Sequence, residues 1–175
     1  MNKEEILKDR RELLDRMCEA LNDELIAAMI REPEAENEPP ILRIVLDDMG
    51  YEGDAQALGE CFFLPIPDEE IPVQHFSSVI TIADDLKGAN FADLFEAMSY
   101  INYALPCGNY AIDKDRQFLS FMITAPLPME LSGDDLYKEI DAVIGNSIAL
   151  CDVHMDMLLK VMDGKMTAEE VKELL

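Results

Sequence analysis

One pair of residues in this 175-residue chain has the spacing of a metal or thiol site. Cys151-Asp-Val-His154 sets a thiol and an imidazole at i and i+3, positions that share a face on a helix. Zinc needs further ligands, and His75, Cys18, Cys61 and Cys107 belong to separate segments. Cys151 and His154 both fall on the apolar side of their segment, where a cysteine acts as a small hydrophobe. The pair is read as core, and a metal- or thiol-dependent small enzyme using Cys151/His154 is the alternative. Cys107 stands in a Pro-Cys-Gly turn, and the acidic residues around it would raise a thiol pKa and leave the group unreactive.

The carboxylates are the next candidates. Asp47-Asp48, Asp68-Glu-Glu70 and Asp84-Asp85 could serve acid–base chemistry or a hard cation. A calcium loop alternates its oxygen ligands around a central glycine and ends in a bidentate glutamate, and that spacing is absent. With 37 Asp+Glu in the chain, adjacent pairs are expected in solvated turns. The eight glycines form neither G-x-G-x-x-G nor a phosphate loop. No cofactor and no metal is expected.

Charge narrows the partners. Fourteen Lys+Arg against 37 Asp+Glu give a formal net charge of -23. Such a surface repels phosphate backbones and anionic lipid, so neither nucleic acid nor a membrane surface is an expected partner. It favours a basic or mixed-charge protein. At 49% hydrophobic and 29% charged residues the chain reads as globular, and its length suits one domain, residues 1–175. The start, Met1-Asn-Lys-Glu-Glu, lacks the apolar core of a signal peptide. No run is expected to approach the ~18 apolar residues of a membrane span. Four scattered cysteines read as free thiols of a reducing compartment, and the expected location is cytoplasmic.

The elements that would position these groups follow from periodicity. Residues 3–31 read as one long helix, with Leu7, Leu14, Met17, Cys18, Leu21, Leu25 and Ala28 along one side. Ile26, Met29 and Ile30 widen its apolar surface toward the end. Residues 32–40 form an acidic, proline-rich linker. Strands are expected at 41–48, 58–66 and 73–83, the first alternating Leu42, Ile44 and Leu46 against Arg43 and Asp47. Residues 65–72 make a stiff acidic loop.

The stretch 90–131 organises the rest. Asn90 caps a helix whose stripe is Phe91, Leu94, Phe95, Met98, Ile101 and Leu105, and Pro106 stops it. A strand at 109–113, a polar turn at 113–116 and a strand at 117–125 follow, with Pro126 and Pro128 ending the last. A long helix from 134 to 162 is striped by Leu136, Ile140, Val143, Ile144, Ser147, Cys151, His154, Met155, Leu158 and Met162. Gly164 stops that helix, and Thr167-Ala-Glu-Glu is a capping box that opens a short appended helix, 167–175. The order is α-βββ-α-ββ-α with a short C-terminal helix, an α+β fold with a largely antiparallel sheet flanked by helices.

This order resembles the YbjN family of bacterial proteins and the wider type III secretion chaperone-like fold. The resemblance rests on Asn102-Tyr-Ala-Leu105-Pro106-Cys-Gly108, Tyr110-Ala-Ile112-Asp, Pro126-Leu-Pro128 and Ser132-Gly-Asp-Asp135, within roughly 91–162. It implies a small, acidic, dimeric and non-enzymatic protein that holds an extended client segment across the outside of its fold. The expected function is therefore a non-enzymatic interaction module, binding a protein client or regulatory partner on an apolar surface framed by acidic residues. Tyr100 and Tyr103, off the main stripe of their helix, and Phe118 and Met122, on the second sheet face, are the candidate partner or homodimer contacts.

Overall fold

A computed structural model describes residues 3–35, 38–66 and 72–175. In order these form α1 (Lys3–Asp23), β1 (Ala28–Arg31), β2 (Ile41–Met49), β3 (Ala55–Phe63), β4 (Val73–Ala83) and α2 (Phe91–Ala104). Then come β5 (Asn109–Asp113), β6 (Phe118–Pro128), α3 (Gly133–Met162) and α4 (Ala168–Leu174). The strands make one antiparallel sheet in the order β1-β2-β3-β4-β6-β5. The α+β class and the expected order hold, with one strand added at the front.

That added strand corrects the 3–31 helix. Helix α1 stops at Asp23 because Asn22 turns the chain: its side chain donates to the Ala28 carbonyl (2.9 Å) and accepts from the Ala28 N–H (3.2 Å). Leu25 takes φ 65°, which a continuing helix does not allow. Residues 28–31 then pair antiparallel with β2, Met29 opposite Arg43. The buried side of α1 is Ile6, Arg10, Leu13, Leu14 and Met17, while Leu7 is half exposed and Leu25 stands in solvent.

Two other boundaries move. Strand β3 begins at Ala55, since the turn before it closes early: Gly50 and Gly53 take φ 83° and 65°. Strand β6 runs through Pro126 to Pro128. Its pairing with β5 ends at Asn109–Met122, so beyond that point the missing proline N–H groups can face an unpaired side. On α2, Ala97 is buried where the periodicity placed Phe95, which is 40% exposed beneath the Lys114 ammonium (4.9 Å from its ring).

Residues group into two compact units, and β2, β3, β4, β6 and α3 contribute to both. In the unit made of 1–46, 58–78 and 124–146, alternate strand residues are buried: Leu42, Ile44 and Leu46, then Cys61 and Phe63, then Phe76. Phe63 and Phe76 meet edge to face with centroids 5.0 Å apart. Arg16 of α1 binds Asp134 of α3 (2.6 Å) and lies 4.3 Å from the Tyr137 ring.

In the unit made of 47–57, 79–123 and 147–175, Tyr110 and Phe121 pack with centroids 4.9 Å apart. The Tyr110 hydroxyl donates to the Cys151 carbonyl (2.8 Å). Asn90 caps α2, and Leu105 is already extended (ψ 136°) ahead of Pro106. The capping box forms at Thr167 and Glu170, and α4 packs on α2 through Val171. Gly164 takes φ 69° just past α3, as its stop requires.

Helix α3 has 30 residues and a window long and apolar enough to cross a membrane by length and composition, which the sequence reading did not anticipate. Of that window 28% is buried inside the fold. Leu136, Ile140, Ile144, Cys151, Met155, Leu158 and Val161 on it are buried against protein.

Candidate functional site

Cys151 and His154 do not form a reactive pair. Cys151 points into the core, and burial pushes its thiol up to about 12, so the group stays protonated at neutral pH. His154 is only half buried, and its Nδ1 lies 3.2 Å from the Leu150 carbonyl of its own helix. The i, i+3 spacing is present, but Cys151 is core while the His154 ring turns back to its own helix. Cys61 is likewise buried, with its thiol raised to about 12. Among the described residues no three His, Cys, Asp or Glu side chains are placed to hold a metal ion.

The carboxylate pairs hold turns together. Asp47 accepts from the Gln56 amide across the β2–β3 turn. Asp85 accepts from the Lys87 N–H (3.0 Å) in a local turn. That β2–β3 turn is also tied to α3: Gly50 N–H donates to Asp152 (2.7 Å), and Lys160 binds Glu52 (2.7 Å). Asp68-Glu69-Glu70 lie outside the described residues.

The four contact candidates fall into two groups. Phe118 and Met122 share the face of β6 opposite Leu119 and Phe121, and both are half buried. On α2, Tyr100 is already engaged, its hydroxyl donating to Glu96 (2.7 Å) while the Lys172 ammonium sits 5.6 Å from its ring. Tyr103 is 94% exposed.

A clearer apolar surface lies in the unit that holds β1. Met29 sits opposite Arg43, so it shares the outer sheet face with Arg43 and Val45. Arg43 reaches Glu60 on β3 (2.8 Å), which places Leu58 and Phe62, two residues either side of Glu60, on the same face. Met29 is 60% exposed, and Val45 and Leu58 are 37% exposed each. Three neighbouring strands thus present Met29, Val45, Leu58 and Phe62 around one partly exposed ion pair. The helical periodicity of 3–31 places Met29 on a helix, away from this face. Only the strand pairing brings it beside Val45.

The same unit holds a cavity of about 560 Å³ between α1, residues 32–33 and 38–40, and residues 63–66, where the chain leaves β3. Leu7, Leu14, Phe63 and Ile66 are among its walls. Arg10 reaches into it from the buried side of α1, 5% exposed. Its Nε donates to the Gln74 Oε1 (3.1 Å), its Nη1 to the Leu64 carbonyl (3.1 Å), and its guanidinium lies 4.7 Å from the Phe63 ring. Burial lowers its pKa to about 10, which leaves it cationic at neutral pH. Of the other charged groups here, Arg11 binds Glu32 (2.6 Å), and Arg31 binds Glu38 (2.8 Å). Periodicity could not find this site, because an arginine in the charged run Lys8-Asp-Arg-Arg-Glu12 reads as a solvated position.

No protein-family model matches the chain, and no curated protein matches its sequence significantly.

Proposed function

We propose that this chain is a non-enzymatic protein-interaction module of the YbjN and type III secretion chaperone-like type, working in the bacterial cytoplasm as a homodimer. Its partner is a protein segment with apolar side chains flanked by basic ones. One observation carries the reading: Met29, Val45, Leu58 and Phe62 lie together on the outer face of β1, β2 and β3, around the Arg43–Glu60 pair. Apolar side chains gathered on an open sheet face are the kind of surface that buries against a partner. The net charge of -23 steers a basic partner toward the protein and speeds encounter.

Affinity capture from a bacterial extract with the full chain as bait tests the reading. The expected result is one protein recovered near equal stoichiometry, with its recovery falling as salt rises. Absence of any near-stoichiometric protein at low salt would remove the reading.

Self-association is assigned to the second unit, through Phe118 and Met122 on β6 with Tyr103 on α2. Phe118→Asp combined with Met122→Asp is expected to halve the mass measured by light scattering. Charges placed in a buried apolar contact cost several kcal/mol by rough measure, enough to split a micromolar dimer. A mass unchanged from the wild type would take the dimer surface away from β6.

A further inference from the structure

We propose that the cavity beside α1 binds a small monocarboxylate with an apolar tail, the carboxylate resting on Arg10 and the tail against Leu7, Leu14, Phe63 and Ile66. Its volume of about 560 Å³ lies within the range of small-molecule sites, which are mostly apolar with few placed polar groups. Arg10 is that polar group. It is buried, and among the described residues it has no carboxylate partner, in a chain where acids outnumber bases 37 to 14. Its Nε and Nη1 are occupied by Gln74 and Leu64, and its Nη2 N–H groups donate to none of the described residues. A buried cation without a counter-charge is costly, and an incoming carboxylate both neutralises it and accepts those N–H groups.

The charge count of the ligand follows from the neighbours. Glu32 and Glu38 line the same cavity and are held by Arg11 and Arg31, and Lys3, also at its wall, has an interaction of its own, so Arg10 is the buried cation that remains to be answered. A dianion would meet those two glutamates. The acidity of the whole chain does not bar a monoanion, because exposed charges beyond about 8 Å are screened at physiological salt.

Calorimetric titration of the full chain with octanoate and with 1-octanol isolates the carboxylate. Octanoate is expected to bind one to one and on the order of 10- to 100-fold tighter than octanol. Arg10→Met is expected to erase that preference while octanol binding stays within about twofold. Leu7→Trp keeps Arg10 and narrows the cavity from a half-exposed position, so it is expected to weaken both probes without a loss of folding. That variant carries the test if Arg10→Met does not fold. Octanoate that does not bind, or that binds no better than octanol, overturns the proposal. So does a preference that survives in Arg10→Met, or binding that Leu7→Trp leaves untouched. Octyl phosphate binding tighter than octanoate would overturn the monocarboxylate assignment.

Discussion

Gly108→Ala is expected to lower stability by about 3 kcal/mol, combining a left-handed penalty with overpacking. The residue takes φ 74°, and a Cβ there would lie 2.7 Å from Phe121 Cζ, 2.8 Å from Ile123 Cγ1 and 2.9 Å from the Met122 carbonyl oxygen. Two of those neighbours are core side chains and the third is backbone, so none can swing away cheaply. The drop corresponds to roughly 6–12 °C in Tm for a chain of this size. Gly88→Ala supplies the comparison, because Gly88 takes φ 86° with open space around it. Its cost should be the backbone penalty alone, about 1 kcal/mol. Thermal denaturation of both variants decides the matter: equal losses would mean that β5 does not enter against β6 as described.

Phe76→Ala is expected to cost about 3–5 kcal/mol, the range for emptying an aromatic site in a core. Phe76 is fully buried on β4 and meets Phe63 edge to face, and Phe63 in turn lies under the Arg10 guanidinium. Phe62→Ala tests the same argument from the other side of the sheet. Phe62 is only half buried on the outer face, so its loss should cost about 1 kcal/mol. Denaturant titration of the pair reads the facing of β3 directly, since a slip of one residue there would bury Phe62 and raise its cost toward that of Phe76.

Much of this architecture was legible because single local signals were strong. Asn90 and Pro106 bracket α2, Thr167 and Glu170 open α4, and β4 and β5 fall on the residues their alternation marks. The failures came where a local signal was outweighed by pairing. Met29 and Ile30 continue a helical stripe on paper, yet Asn22 and Leu25 break the helix and β2 takes the segment as an edge strand. Pro126 and Pro128 read as a stop, but an edge without a partner tolerates them.

The candidate sites were less legible than the fold. Cys151 and His154 share a sequence spacing and not a common pocket, because one side chain is core and the other turns to its own helix. Tyr100 looked available, and Glu96 and Lys172 occupy it. Arg10 gave no signal at all: burial of a charged residue depends on what folds over it, here Phe63, Leu64 and Gln74 from far along the chain.

The most direct measurement of the interaction reading compares two baits in one capture experiment, the wild type and a chain carrying Val45→Lys with Leu58→Lys. Both residues face outward, so the double variant should keep its Tm within about 5 °C, the scale of strand-propensity changes. The account predicts one near-stoichiometric protein on the wild-type chain and at least a tenfold lower recovery on the variant. Equal recovery on both baits would contradict it.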